Sequence, residues 1–185
     1  AIVSKHLRAE SALKCGADLV IELPVAYATG SAEQFAFGAV SLFNSLGVID
    51  SICFGSECGD ITVLSEIAEI LVNESEQYKE CLQLYLRNGV SFPVARELAI
   101  KELFPNKNYD QILGEPNNIL GIEYIKALLR LNSSIKPYTI TREGSGYHDM
   151  SLTDQYSSAS AIRKAIKTNS INELKKQVPV TTLEN

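Results

Sequence analysis

Two short apolar runs and one β-branched run in the sequence each end in polar residues of types that can bind a nucleotide. The polar residues that follow these runs are Glu22, then Gly55, Ser56 and Glu57, and finally Arg142 and Glu143. Ligands of open parallel sheets bind beyond the carboxyl ends of the strands. Glycine lets the backbone approach a ligand closely, and arginine offers a rigid fork of donors to phosphate. Together the residues favour a nucleotide site, although any one of them alone is more typical of a strand end or a turn.

A second candidate site lies in segment 157–163, which reads Ser-Ser-Ala-Ser-Ala-Ile-Arg. Ser158 and Ser160 stand at the start of a predicted helix, and Arg163 follows within the first turns. Free N–H groups and the positive end of the helix dipole favour an anion there, which suits a triphosphate. The same spacing is also typical of an ordinary N-cap followed by a solvated arginine.

A third candidate is the amide pair Asn117 and Asn118, which follows Pro116 at the start of another predicted helix. Carboxamides in this position can cap the helix, or they can present paired donor and acceptor groups to a base or a ribose. The sequence leaves both interpretations open.

Several other chemistries lose support. The two histidines, His6 and His148, lack a second ligand at metal spacing, and the four cysteines lack the C-x-x-C pattern. No metal site is therefore expected. The cysteines are interpreted as buried free thiols. The sequence contains no G-x-S-x-G, Walker or G-x-G-x-x-G motif.

Composition points to a globular protein. The chain has 185 residues, of which 45% are hydrophobic, and 17 basic against 22 acidic residues give a net charge of −5. This charge argues against a broad nucleic-acid-binding face. Since no apolar run reaches the roughly 20 residues of a bilayer span, and no signal peptide is evident, a cytoplasmic protein without a membrane partner is expected.

The elements that must position these residues indicate an α/β fold. Segments 19–21 and 52–54 are continuously apolar, which predicts parallel strands covered on both faces. Between them, Ser31 and Gln34 form a capping box for a helix that Gly47 closes. The β-branched segment 138–141 predicts a third strand.

Helical periodicity accounts for much of the remainder. Residues 60–104 predict three amphipathic helices, interpreted as an insertion beside the sheet. Further helices are predicted over 4–14, from Pro116 to about Leu131, and from Ser158 onward, and a second capping box at Ser170 and Glu173 predicts a last one. Residues 1–168 are therefore predicted as one α/β domain, and residues 169–185 as the start of a following helical region.

Six segments taken in order resemble one family. They are residues 1–5, 18–24, 54–57, 115–121, 147–149 and 157–163. They resemble the bacterial tRNA(Met) cytidine acetate ligases, which belong to the nucleotidyltransferase superfamily and have a Rossmann-like parallel sheet. The blocks Phe-Gly-Ser-Glu and Pro-Asn-Asn-Ile-Leu-Gly are specific to that family, whereas the Ser-x-Ser-x-Ile-Arg element is shared more widely.

The resemblance implies an enzyme that uses ATP to activate acetate as acetyl-adenylate and then acetylates the wobble cytidine of elongator tRNA(Met). The ATP contacts that it implies are Gly55, Asn117, Arg142, Glu143, Ser158, Ser160 and Arg163. Arg142 and Arg163, together with Mg²⁺, would neutralise the charge that develops as the carboxylate attacks the α-phosphate. Ala159 stands where relatives elsewhere in the superfamily carry serine.

One element of the family pattern is absent. Family members begin with a strand and a His-x-Gly-His loop, which does not occur here, and their chains are roughly twice this long. The chain is therefore interpreted as a middle part of such a protein, expected to bind ATP poorly and not to turn over by itself. Two alternatives stay open: another adenylyltransferase of the superfamily, and a non-catalytic nucleotide- or tRNA-binding module.

Overall fold

The computed structural model of the chain describes residues 2–143, 157–168, 174–175 and 177–183. Its contacts divide the chain into two units. A terminal unit comprises Ala1–Glu22 and Glu143–Asn185, and a central unit comprises Leu23–Arg142. The predicted capping box at 170–173 and residues 144–156, which include His148, lie outside the described residues.

The helices of the described chain follow largely from local sequence signals. In chain order they are α1 (Lys5–Lys14), α2 (Val25–Ala28), α3 (Ala32–Leu46), α4 (Ile61–Asn73), α5 (Glu76–Arg87), α6 (Phe92–Leu103), α7 (Tyr109–Leu113), α8 (Pro116–Arg130), α9 (Ala159–Lys167) and α10 (Val180–Leu183). The capping box of Ser31 and Gln34 at the start of α3 is confirmed, and Gly47 ends that helix at a φ of +67°. The three helices predicted over 60–104 are confirmed as α4, α5 and α6.

A parallel pair of strands forms the sheet of the central unit. Strand β1 (Ser51–Ser56) pairs with β2 (Lys136–Thr141), with Phe54 opposite Thr139. The backbone N–H of Arg142 continues the ladder by donating to the carbonyl of Ser56 at 2.9 Å. The strands predicted at 52–54 and 138–141, and their parallel direction, are thereby confirmed.

The strand predicted at Leu19–Ile21 is wrong. This segment has no regular secondary structure, and its three side chains are 65%, 41% and 39% exposed. A strand is held by hydrogen bonds to a neighbour, and in the part of the chain that the structure describes the sheet has two strands, β1 and β2. The predicted strand–helix–strand unit is therefore not formed, and the parallel crossover instead runs from β1 through α4–α8 to β2.

Helix α8 connects two apolar clusters that cover one face of the sheet. The larger cluster contains Leu64, Ile67, Ala68, Leu71, Tyr78, Ala99, Ile100, Tyr109, Leu113, Ile122 and Ile125. The smaller one contains Val40, Ile52, Ala127, Leu128 and Ile135. The first helix of the predicted insertion, α4, shares the larger cluster with α8 and is thus part of the main core. On the opposite face of the sheet Tyr138 and Ile140 are exposed, so within the described residues the prediction that both faces are covered is wrong.

A buried ion cluster also holds α8 in place. Glu123 of α8 accepts a hydrogen bond from Nη1 of Arg96 on α6 at 2.8 Å and another from Nζ of Lys126 at 2.7 Å. All three side chains are at least nine-tenths buried. Buried charges need such partners, because an uncompensated one is strongly destabilising. Sequence reasoning missed this cluster.

The terminal unit contains α1, α9 and α10. Ser4 caps α1 by accepting from the N–H of Leu7 at 3.3 Å, and the hydroxyl of Ser11 donates to the carbonyl of Thr181 at 3.4 Å, which links α1 to α10. No helix in the described part of the chain is long and apolar enough to span a membrane.

The four cysteines are free, as predicted. Their predicted burial is wrong for Cys15 and Cys53, which are exposed, and Cys58 and Cys81 are only partly buried. Cys53 lies opposite Tyr138 in the sheet register, and Tyr138 is on the open face. Cys53 is therefore exposed because it too lies on the open face of the sheet.

The turn after β1 requires glycine at position 59. Gly59 has a φ of +63°, and a Cβ atom added there would collide with Oγ1 of Thr141 and lie 3.0 Å from its Cβ. The N–H of Gly59 donates to the buried Oγ of Ser56 at 3.0 Å. Both backbone conformation and space therefore exclude a side chain.

We expect Gly59→Ala to lower the free energy of unfolding by more than the about 1–2 kcal/mol that a left-handed conformation alone costs. Gly89→Ala is the matched control, because Gly89 has a φ of +78° but nothing within 4 Å of an added Cβ. Urea denaturation of both variants would measure the difference, and Thr141→Ala should recover part of the loss in the Gly59 variant. Equal destabilisation of the two glycine variants would contradict the steric contribution.

Candidate functional site

Gly55 and Arg142 lie together at the carboxyl ends of the two strands. A Cβ atom added at Gly55 would lie 3.1 Å from Cγ and 3.7 Å from Cδ of Arg142. The absence of a side chain at Gly55 therefore leaves room for the aliphatic stem of the arginine. The guanidinium of Arg142 remains exposed.

The first turn of α8 brings Asn117 to the same place. Nη1 of Arg142 donates to Oδ1 of Asn117 at 3.4 Å. The helix approaches β1 closely because Gly121 faces the ring of Phe54, where an added Cβ would lie only 2.6 Å from Cε2. Gly55, Asn117 and Arg142, predicted from separate parts of the sequence, thus form one group, which we call the strand-end site.

Glu57 anchors Asn117 from the other side. Its Oε1 accepts from the side-chain Nδ2 of Asn117 at 2.6 Å and from the backbone N–H of that residue at 3.3 Å, while its Oε2 accepts from the N–H of Asn118 at 2.8 Å. Partial burial alone would raise the pKa of Glu57, but hydrogen bonds from the Asn117 side chain and from the backbone outweigh it and lower the pKa below its usual value of 4.5. Glu57 is therefore a carboxylate held at the N-terminus of α8.

The second amide of the pair has a structural role. Asn118 is 1% exposed, and its Oδ1 accepts from the N–H of Cys58 at 3.0 Å while its Nδ2 donates to the carbonyl of Ile112 at 3.2 Å. Its amide is thus occupied on both sides. The sequence left open a structural role and a ligand-binding role for these amides. Asn118 has the structural role, whereas Asn117 faces the strand-end site.

Ser56, predicted among the strand-end residues, is also structural. Its side chain is fully buried, and its Oγ lies 2.7 Å from Oγ1 of Thr139 on the neighbouring strand. Glu22, which the sequence placed at the end of a strand, instead pairs with Lys5 at 2.8 Å. The Lys5 ammonium lowers the pKa of that carboxyl.

The serine-rich element lies in the terminal unit. Ser158 caps α9 by accepting from the N–H of Ala161 at 3.0 Å, which confirms the predicted N-cap. Ser160 is half-buried and Arg163 is exposed on the same helix. Glu143, the residue after Arg142, is exposed as well. The nucleotide contacts expected of these four residues stay predictions.

A cavity elsewhere in the central unit lacks an arginine and a helix-start amide of this kind. It measures about 300 Å³ and is lined by residues of α4, α8 and the segment that leads into β2, including Glu69, Ile125 and Pro137. This is the end of β2 remote from Arg142. Among the described residues no group of three His, Cys, Asp or Glu side chains could hold a metal ion.

Comparison with known proteins identifies relatives along the whole chain. A family model described as HIGH nucleotidyl transferase matches residues 1–185. A tRNA(Met) cytidine acetate ligase of Clostridium botulinum (strain Okra / Type B1) is 54% identical over 185 residues, which cover 97% of this chain and 45% of the relative. A protein of the same name from Thermoanaerobacter sp. (strain X514) is 50% identical over 184 residues, covering 100% of this chain and 46% of the relative. The chain thus spans a little under half the length of these relatives.

Two solved structures are similar to the whole chain. The crystal structure of Thermotoga maritima TmcAL in its apo form I superposes with a TM-score of 0.96 at 38% identity and covers 100% of this chain and 44% of that one. A second crystal structure of that protein, bound with alpha-thio ATP, superposes with a TM-score of 0.90 at 37% identity and covers 100% and 43%. These likenesses confirm the predicted nucleotidyltransferase fold with a parallel sheet.

The charge of Glu57 has a measurable consequence for stability. Because its pKa is lower in the folded chain than the usual 4.5, its stabilising contribution is present above that value and is lost as the pH falls through the folded pKa. Glu57→Gln, which keeps the shape but loses the charge and one acceptor, should lower the free energy of unfolding by about 1–2 kcal/mol near neutral pH. The deficit should shrink as the pH falls through the lowered pKa of Glu57, because protonation removes the charge that the Gln variant lacks.

Glu115→Gln is the matched control for this prediction. Glu115 is the N-cap residue of the same helix but makes no side-chain capping bond. Glu115→Gln should therefore lower the free energy of unfolding at neutral pH by less than Glu57→Gln does. Thermal or urea unfolding across the pH range would measure both, and a deficit for Glu57→Gln that does not change with pH would contradict the assigned carboxylate contacts.

Proposed function

The chain belongs to the HIGH nucleotidyl transferase family, and on this basis we propose that it supplies nucleotide-binding residues to an ATP-dependent tRNA(Met) cytidine acetate ligase. The proposed enzyme activates acetate as acetyl-adenylate and then acetylates the wobble cytidine of elongator tRNA(Met). The relatives that carry this name are about twice the length that the chain covers, since the chain spans 45% of the Clostridium botulinum protein. The complete reaction is therefore proposed for the full-length gene product.

The convergence of Gly55, Asn117 and Arg142 is the observation that carries this proposal. The three residues come from β1, α8 and the end of β2, and they meet beyond the carboxyl ends of parallel strands, where ligands of such sheets bind. The similar Thermotoga maritima protein has been crystallised with alpha-thio ATP, which supports a nucleotide as the ligand.

Positioning and charge neutralisation would provide the chemistry. In-line attack of the acetate carboxylate on the α-phosphate, with pyrophosphate as the leaving group, requires no protein nucleophile. Arg142 has an exposed guanidinium at the strand ends and is proposed to bind the phosphate groups. Arg163, Ser158, Ser160 and Glu143 are proposed as further ATP contacts.

Mg²⁺ is proposed to accompany the triphosphate as part of the substrate. The described residues offer no cluster of three side chains that would hold the ion by themselves. Mg²⁺ is commonly bound through substrate phosphates and water with only one or two carboxylates. The ion would neutralise phosphate charge, while the residues of this chain bind and orient the nucleotide.

Acetate-dependent exchange of labelled pyrophosphate into ATP tests the first step, and mass analysis of elongator tRNA(Met) for acetylcytidine tests the second. Both should be positive for the full-length gene product. Exchange with a phosphorylated acceptor and none with acetate would indicate a different adenylyltransferase. ATP binding without any exchange would indicate a non-catalytic module, and either result would overturn the proposal.

Arg142→Ala should lower kcat/KM for ATP in the exchange reaction by about 100-fold, because removing one donor to a developing charge typically has this effect. Arg142→Lys should recover only part of the loss, since an ammonium cannot reproduce the planar fork of the guanidinium. Arg87→Ala is the control, because Arg87 lies at the end of α5 and its side chain hydrogen-bonds to Gln83 on the same helix. Steady-state kinetics would measure all three variants, and unchanged kinetics for Arg142→Ala would contradict the assigned role.

A further inference from the structure

We propose that Glu57 is a positioning residue that fixes the amide of Asn117 with its oxygen towards the strand-end site, where it accepts a hydrogen bond from a neutral donor of the nucleoside. The inference rests on the proposed function, which places a nucleotide beside Asn117. It assigns a role to Glu57, which sequence reasoning did not include among the ATP contacts, and it specifies what part of the nucleotide Asn117 binds.

The orientation of the Asn117 amide follows from the chemistry of its neighbours. A carboxylate can only accept hydrogen bonds, so the side-chain NH₂ of Asn117, rather than its oxygen, must face Oε1 of Glu57, 2.6 Å away. The amide oxygen then points away from Glu57. A guanidinium can only donate, and Nη1 of Arg142 lies 3.4 Å from that oxygen, which agrees with the same orientation.

The amide oxygen of Asn117 has capacity for a second donor. A carbonyl oxygen has two acceptor sites, and the contact with Arg142 uses one of them at a long distance. Asn117 is half-buried and lies at the exposed end of the strands, whereas Asn118 is enclosed by the fold. Asn117 is therefore the amide that a ligand at the strand ends can reach.

The charge of Glu57 determines which part of a nucleotide fits here. A helix N-terminus usually favours an anion, but at α8 the backbone N–H groups of Asn117 and Asn118 already bind the Glu57 carboxylate. A phosphate in the same place would meet a like charge and find these donors occupied. The nucleoside part of the nucleotide is neutral, so the Glu57 carboxylate does not repel it. It carries two kinds of hydrogen-bond donor, the ribose hydroxyls and the exocyclic amine of adenine.

The test compares kcat/KM in acetate-dependent pyrophosphate exchange for ATP, 2′-deoxyATP, 3′-deoxyATP and ITP, using the full-length gene product. The two deoxy analogues each lack one ribose hydroxyl, and ITP lacks the exocyclic amine. We expect the wild type to discriminate about threefold to tenfold against the analogue that lacks the donor for Asn117, as is typical of one lost hydrogen bond.

Two variants distinguish a positioning role from a structural one. In Glu57→Gln the neighbouring side chain offers both a donor and an acceptor, so only the long contact with Arg142 still favours one orientation of the Asn117 amide. The discrimination should then fall to within about twofold. A merely structural role would lower kcat/KM for all four nucleotides in parallel and leave the ratio unchanged.

Asn117→Ala keeps the backbone N–H donors to Glu57 but removes the amide, and it should abolish the same discrimination even if the Glu57 variant folds poorly. Glu115→Gln changes the charge at the same helix end, where Glu115 makes no side-chain capping bond, and it should retain the wild-type ratio. Equal kcat/KM for all four nucleotides in the wild type, or an unchanged ratio in the Asn117 or a folded Glu57 variant, overturns this inference alone. No exchange with ATP in the wild type overturns the proposed function and this inference with it.

Discussion

The parallel pairing of β1 with β2 is the constraint on which the strand-end site depends. Gly55 lies opposite Ile140 in this register, and the N–H of Arg142 bonds to the carbonyl of Ser56. A slip of one residue would turn the side chains of β2 to the other face and remove Arg142 from Gly55. The hydrogen bond between the buried hydroxyl of Ser56 and the half-buried hydroxyl of Thr139 opposes such a slip, because in another register both groups would lose this partner.

Helix α8 transmits this register to the third member of the site. Its apolar side chains join both core clusters, and its Glu123 is bonded to Arg96 of α6, so the helix is held against its neighbours on several sides. Because Gly121 has no side chain, the helix can approach Phe54 so closely that an added Cβ atom would overlap the ring. Asn117, one turn before Gly121, is thereby placed at the strand ends by packing that lies outside the site itself.

Local signals explain why much of this arrangement could be predicted from the sequence. The capping box of Ser31 and Gln34 needs only neighbouring residues, and α3 begins where it predicts. The run Leu19–Ile21 failed as a strand because strand formation depends on a partner, which an apolar run does not specify. Glu57 was not recognised as a support for Asn117 because the two are 60 positions apart and meet only when α8 docks beside β1.

The neutral amide of Asn117 between Glu57 and Arg142 separates two opposite charges. A direct ion pair between those residues would neutralise the guanidinium and occupy the donors that a phosphate needs. With Asn117 in between, Glu57 is satisfied by the amide and the helix N–H groups, and Arg142 keeps an exposed cationic head. The same three residues can therefore present a neutral acceptor and a cation side by side, which matches the neutral and anionic parts of a nucleotide.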